Sequence, residues 1–393
     1  MREIKLKYLC KSFSNAIAAK ELNSEATNGY PVYGAAGLMG YKDSYDTDVE
    51  YLGIVKDGAG VGRINVYPAK SSLLGTMATI IPNDNVDIKW LQYAISNLNL
   101  GESVDKATIP HIYFSVYGNS YIRDISISDQ QKIAAHLDRK CTQIDALISN
   151  AQQQIEKLKA YKQSVITETV TKGLEPYVTM KDSGIEWIGE IPEHWKIGEI
   201  KRFASTCSGG TPNSSDSSFY DGDINWICSY DLKENEIFES LRKITQKGAD
   251  SISGELQTSG SVLIAMYGGS GTIGNSGLLR CDAKTNQAIC SIHFKEKFFI
   301  PKYAFYETIF MRKNWMIFAV GTRKDPNINQ EIVKNMVYIG PPLSEQQAIT
   351  DYLDHKCSQI DKLIALKQQK IEKLQQYKKS LIYEYVTGKK EVS

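Results

Sequence analysis

Arg323, Lys324 and Asn327 crowd one polar loop of a 393-residue chain. Arginine and lysine read guanine through two acceptors on its edge, and asparagine reads adenine, so the cluster has the chemistry of a nucleic-acid reader. Ser229, Tyr230 and Lys233 form a second group, just after the strand-like run Asp223-Ile224-Asn225-Trp226-Ile227. Thr211, in Gly209-Gly210-Thr211-Pro212, and Tyr267, closing a strand expected over Ser261–Tyr267, complete the set. Earlier in the chain Lys56 and Arg63 flank the glycine run Gly58–Gly62. His111 and Tyr113 stand where Arg323 and its neighbours stand later. Each group alone is what any solvated loop shows. Their recurrence at matching places in two halves singles them out.

Other chemistries find less support. Gly269-Ser270-Gly271-Thr272-Ile273-Gly274 follows a strand and has dinucleotide-loop spacing, but that loop needs a helix next, so that a pyrophosphate meets its N-terminus. Asn275–Arg280 reads instead as turn and strand. A hairpin connection is therefore expected there, as at Gly58–Gly62. No G-x-x-x-x-G-K-[ST], H-E-x-x-H or G-x-S-x-G occurs. Asp325-Pro326-Asn327-Ile328 lacks the second proline of an amino-methyltransferase motif. The five histidines are scattered, and the seven cysteines show no C-x-x-C pair, so neither a metal set nor a disulfide framework is indicated.

The elements that must position these loops are legible in outline. Tyr30–Gly34, Tyr51–Val55 and Met77–Ile81 read as strands between Gly and Asn-Asp clusters. Helices are expected over Lys89–Asn97, with Asp87 as cap, and over Lys302–Phe318. The dominant feature is a segment present twice, Ser128–Thr171 and Ser344–Thr387. The copies align without a gap at an offset of roughly 216 residues, with about 26 of 44 positions identical. In the first copy Leu137, Cys141, Ile144, Ile148, Ala151, Ile155, Leu158 and Val165 recur at steps of four and three, interrupted by Lys162. In the second the series is Leu353, Cys357, Ile360, Ile364, Ile371, Leu374 and Leu381. This is a heptad seam on a helix roughly 65 Å long, with Cys141 and Cys357 as small apolar members. Ser128 with Gln131, and Ser344 with Gln347, fit capping boxes, and Gly173 fits a stop. Each helix supplies the stripe the other needs, so an intramolecular coiled coil is expected.

The globular halves share a layout of strands, glycine loop, strand, helix and short loop, yet little sequence. Helices kept alike while heads diverged suit a fixed partner and two different targets. Composition is that of an ordinary globular chain, 42% hydrophobic and 23% charged, with 46 basic against 45 acidic residues. Bulk charge therefore names no polyanionic partner. No apolar run approaches 18 residues and the first residues carry no leader-type core, so no membrane and a cytoplasmic location are expected.

Ser-Asp-Gln-Gln at 128–131, Ser-Glu-Gln-Gln at 344–347, Gln-Ile-Asp at 143–145 and 359–361, the connector Trp187–Trp195 and Gly209–Pro212 together resemble the specificity subunit of a type I restriction–modification system. The first half departs most, lacking a Gly-Gly-Thr-Pro element. The resemblance implies an α+β chain with two mixed, strand-rich target-recognition domains, at 1–126 and 200–342. Two long antiparallel helices, at 127–173 and 343–388, would separate them as a coiled coil with internal pseudo-two-fold symmetry. A connector at 174–199 and a tail at 389–393 complete it. It further implies no catalysis and no cofactor in this chain. Each domain would read half of an asymmetric bipartite site in double-stranded DNA. The helices would set the spacer and dock two modification subunits that methylate adenine N6 with S-adenosylmethionine. Restriction/translocase subunits would bring ATP and Mg. Candidate coiled-coil and docking residues are Leu137, Ile144, Ile148, Ile155, Leu158, Leu353, Ile360, Ile364, Ile371 and Leu374. The competing readings are a coiled-coil scaffold whose heads bind protein or glycan and, more distantly, an enzyme using the glycine loops.

Overall fold

Tyr30–Gly34 and Tyr51–Val55 are strands over the expected residues, and Met77–Pro82 extends its expected strand by one. A computed structural model of the chain describes residues 2–14, 16–22, 29–58, 60–100, 110–268, 271–319 and 327–392. The chain divides into two compact units, Met1–Gln153 with Lys367–Ser393, and Gln154–Leu366. Each contains one strand-rich head and part of both long helices.

In the first unit four strands lie in the order Cys10–Ser14, Met77–Pro82, Tyr51–Val55, Ile64–Tyr67, all antiparallel. Tyr51–Val55 is buried throughout, as a central strand covered on both faces must be. One cover is the helix Ile88–Ser96. It starts where Asp87 accepts a hydrogen bond from Trp90 N at 2.8 Å, and it buries Trp90, Leu91, Ala94 and Ile95. A three-stranded sheet (Gly37–Lys42, Tyr30–Gly34, Ser72–Leu73) lies alongside.

The second unit repeats the plan. Its sheet runs Ala204–Ser208, Ile289–Phe294, Val262–Ala265, Ser276–Leu279, and adds a fifth strand, Asn235–Ile237. Its head helix is Pro301–Met311, shorter than expected, with every residue from Tyr303 to Met311 buried. The chain turns at 312–314 and resumes as Trp315–Phe318. That turn lets the Trp315 indole bury fully against Gly274, where a Cβ would sit 2.5 Å from the ring. Burying a tryptophan outweighs continuing a helix by one turn.

The long helices run Ile127–Lys172 and Leu343–Val386. Gly173 stops the first as expected, with φ of +76° and its N–H on Thr169 O at 3.0 Å. The starts differ from the expected boxes. Ser126 caps the first helix through Asp129, accepting from its N–H at 3.2 Å, which leaves Ser128 inside the first turn. The second begins directly after Pro341-Pro342, whose Pro342 carbonyl accepts from Glu345 N and Gln346 N, so Ser344 is likewise internal. Gln347 donates to Asp351 at 2.8 Å instead. Both box patterns lie two residues past the true caps, because a preceding serine and a Pro-Pro pair open the helices.

Within each unit the two helices pair antiparallel. In the first, His136 packs on Tyr385 with ring centroids 4.6 Å apart, and further on Asp145 takes Lys378 at 2.7 Å on both oxygens. In the second, Lys162 binds both oxygens of Asp361 at 2.8 Å. The seam positions Leu137, Cys141, Ile144, Ile155, Leu353, Cys357, Ile360 and Ile371 are buried, whereas Ile148, Leu158, Ile364 and Leu374 are half-buried. Lys162 and Lys378 explain the interruptions: each is a seam lysine answered by the opposite helix's aspartate. Such half-exposed pairs contribute about 1 kcal/mol or less, so their role is to fix register.

A second duplicated device joins each head to its helix. Gln130 is buried; its Oε1 accepts from Asp87 N at 2.8 Å and its Nε2 donates to Ile125 O at 3.0 Å. Gln346, fully buried, accepts from Ile300 N at 2.8 Å and donates to Phe298 O and Pro341 O at 2.8 and 2.9 Å. In both units the glutamine thus binds the N-terminal end of the head helix. Two turns on, Tyr93 donates to Asp138 at 2.7 Å and Tyr306 to Asp354 at 2.5 Å. Burial, reinforced by these carboxylates, pushes both phenols up.

Candidate nucleic-acid interface

Both glycine runs are hairpin connections, as expected. In the first head the loop after Val55 is closed by Gly62 N on Val55 O at 2.9 Å and Val55 N on Arg63 O at 2.8 Å. In the second, Gly274 N meets Ala265 O at 2.9 Å and Ala265 N meets Asn275 O at 2.8 Å. Each loop is then clamped to a later segment by one equivalent bond. Ile112 N donates to Lys56 O at 3.0 Å, and Ile328 N donates to Met266 O at 3.0 Å. Ile112 and Ile328 are related by the same offset as the long helices, so His111 corresponds to Asn327.

The first head therefore gathers Lys56, His111 and Tyr113. His111 Nδ1 contacts the Asp57 carboxylate, and its ring lies 4.1 Å from that of Tyr113, which is half exposed. Gly58 N on Pro110 O at 3.0 Å locks the same junction. Arg63 closes the hairpin opposite Val55, exposed and with its side chain folded toward Gly60 O at 3.4 Å.

The second head gathers more. Gly209 passes so close to the neighbouring strand that a Cβ there would sit 1.8 Å from Thr285 O, which only glycine permits. Gly210 N then donates to Thr285 O at 2.9 Å, and Trp226 Nε1 donates to Gly210 O at 3.1 Å. This places exposed Thr211 in hydrogen-bond contact with exposed Gln287. Met266 N binds Ala288 O at 2.7 Å, carrying the chain of contacts from Gln287 to the loop that holds Tyr267 and, through Ile328 N on Met266 O, to the segment that holds Asn327. Ser229 reaches the same loop, its Oγ 3.6 Å from where a Gly268 Cβ would lie. Tyr230 is half exposed beneath the Arg242 guanidinium, 5.1 Å from its ring, and its hydroxyl is pushed up by partial burial and by the Cys228 thiol. Lys233 stands apart, exposed, on the turn held by Asn235. Arg323 and Lys324 lie outside the described residues.

Sequence reasoning missed Asp57, Gln287 and Arg242. The first two sit in polar turns between apolar strands and were findable. Arg242 reaches Tyr230 across the fold, with no local signal. Among the described residues no His, Cys, Asp or Glu group could hold a metal ion, and no helix is long and apolar enough to cross a membrane.

Residues 192–376 match the type I restriction modification DNA specificity domain family. Over 345 residues the chain is 25% identical to the type I restriction enzyme MjaVIII specificity subunit of Methanocaldococcus jannaschii, covering 85% of this chain and 77% of that one. Over most of its length the chain is thus similar to type I restriction enzyme specificity subunits. A putative type I restriction enzyme MjaX specificity subunit of the same organism is also 25% identical, covering 84% of this chain and 75% of its own length. A chain solved in work on complex assembly and conformational transition of the type I R-M system shares the fold. Its TM-score is 0.71 at 12% identity, over 98% of this chain and 97% of that one. Both curated relatives are specificity subunits of type I restriction enzymes, and the scaffold reading with protein- or glycan-binding heads finds no support.

Proposed function

We propose that the two clamped hairpin loops are the reading edges, one for each half of an asymmetric, interrupted site in double-stranded DNA. The observation that supports this most is the shared frame with unlike side chains. The same hydrogen bond ties loop to loop in both heads, yet one frame presents Lys56, His111 and Tyr113 and the other Ser229, Tyr267 and Asn327. Equal frames with different edges read different half-sites. The paired helices set the unread spacer and dock two modification subunits. Those bring S-adenosylmethionine for adenine N6 methylation, and restriction/translocase subunits bring ATP and Mg. The complex works in the cytoplasm.

Asn327→Ala is expected to weaken binding to the cognate site by about 1–3 kcal/mol and to relax one half-site only. Non-specific affinity and its salt dependence should hold. A mobility-shift titration with the modification subunits, on cognate and scrambled duplexes at two salt concentrations, checks this. Unaltered cognate affinity would make the loop a bystander. Equal losses on both duplexes would mark a phosphate contact instead.

A further inference from the structure

The second head carries a small sheet of three strands, in the order Lys243–Ile244, Tyr220–Ile227, Ala283–Thr285. The last two are parallel, with Ile227 beside Thr285, so both chains leave the sheet at the same edge. Tyr220–Ile227 delivers Ser229 and Tyr230 there, and Ala283–Thr285 delivers Gln287. Lys243–Ile244 runs the other way, so the residues that precede it lie at that edge too. Arg242 is the nearest of them, its carbonyl accepting from Trp226 N at 3.0 Å. Buried Ser240 pins the approach by donating to Trp226 O at 2.9 Å. Arg242, Tyr230 and Gln287 therefore stand in one row, beside the glycine loop that Ser229 reaches. Arg242 is exposed, and among the described residues it pairs with no carboxylate. Two other arginines of this head, Arg280 and Arg312, are each engaged by a glutamate. What holds the Arg242 guanidinium is the Tyr230 ring, 5.1 Å away. The tyrosine hydroxyl is engaged by the buried Cys228 thiol, so its ring is the surface left to the arginine. A guanidinium laid on an aromatic face is ordered in advance while its N–H fork stays free. The first head builds the same small sheet from Gly37–Lys42, Tyr30–Gly34 and Ser72–Leu73, the last two again parallel. At the matching edge stand Ala35, Leu38 and Met39.

We infer that Arg242 is a guanine-reading residue of the second half-site, its fork meeting O6 and N7 in the major groove, and that Tyr230 positions it. This rests on the reading-edge proposal above and adds to it a residue and a base. Two parallel N–H donors match the two acceptors of the guanine edge, and Gln287 in the same row has the amide that matches adenine. The row as a whole faces base edges. The first head, with apolar side chains in that place, makes no such contact, so this guanine belongs to one half-site only.

The test uses the full-length chain with its modification subunits and takes the cognate site from a methylation map. Mobility shifts are run on duplexes in which each position of that site is varied in turn, and on a scrambled duplex at two salt concentrations. Arg242→Lys keeps the charge and removes the fork. It should weaken the cognate complex about ten- to hundredfold and flatten discrimination at one guanine of one half-site. Binding to the scrambled duplex and its salt dependence should hold. Arg242→Gln should move the preference at that position from guanine toward adenine. Tyr230→Leu should reproduce the lost discrimination, and Tyr230→Phe, which keeps the ring, should lose less. A merely structural tyrosine would not act at a single base. Equal losses on both duplexes for Arg242→Ala, restored by Arg242→Lys, would overturn base reading in favour of a phosphate contact. Wild-type binding by all three Arg242 variants would overturn the assignment outright. Asn327→Ala in the same assay separates the two failures: if it still relaxes its half-site, the reading edges stand without Arg242, and if it too is silent, both readings fall.

Discussion

Gln346→Ala should destabilise the second unit by about 3–5 kcal/mol, the largest loss expected from any single polar substitution in the long helices. The side chain is fully buried and serves three backbone groups: Ile300 N, Phe298 O and Pro341 O. Truncation leaves all three without a partner, at about 1–3 kcal/mol each before water or small shifts relieve part of the cost. Gln130→Ala strands two groups, Asp87 N and Ile125 O, so its effect should be smaller, about 2–4 kcal/mol, and confined to the first unit. Hydrogen exchange separates the two. Amides of Pro301–Met311 should lose protection in the Gln346 variant and those of Ile88–Ser96 in the Gln130 variant. Unchanged protection of the neighbouring head helix would show that the glutamines do not hold it. The consequence for function is direct, because these glutamines hold each reading head to the helix on which it is measured.

Glu307 should make the second unit lose stability as pH rises. Its carboxyl is buried in the core; Oε1 accepts from Ile339 N, Oε2 has no hydrogen-bond partner, and Tyr303 and Tyr338 crowd it. Burial pushes the carboxyl well above the ordinary glutamate range, with the Ile339 N–H opposing only in part. A raised folded-state value means that the native protein binds a proton the unfolded chain releases near pH 4.5. Stability from this group is thus complete below about pH 4.5 and falls through neutrality, by up to about 1.4 kcal/mol per pH unit, until the folded state also ionises. Glu307→Gln keeps the acceptor oxygen and removes the titration. Its melting temperature should gain on wild type between pH 5 and pH 8; parallel profiles would refute the assignment. The first unit has Ala94 at the matching place on its head helix and should show no such effect.

The heptad steps made the long helices and most of their buried seam readable, since a stripe at period 3.5 leaves one solution. Glycine spacing without a following helix made both hairpins readable. The capping boxes were misplaced because a local pattern does not show that Ser126 or Pro341-Pro342 has already begun the helix. The glutamine joints were invisible for another reason: Gln130 and Gln346 look like solvated first-turn residues until the head helix, some 45 positions away, is folded onto them. The reading edges were found residue by residue but not as assemblies. Thr211 with Gln287 and His111 with Asp57 meet only after strands distant in sequence are in register.

The most direct test of two reading heads measured by paired helices is a methylation-site map in cells expressing the complex. One heptad is inserted between Gln153 and Gln154 and another between Leu366 and Lys367, so that both helices lengthen together and the seam stays in phase. Seven residues add about 10 Å of helix, or about three base pairs of duplex. The expected map keeps both half-site sequences and lengthens the unread spacer by about three base pairs. An unchanged spacer, or altered half-sites with the spacer preserved, would contradict it.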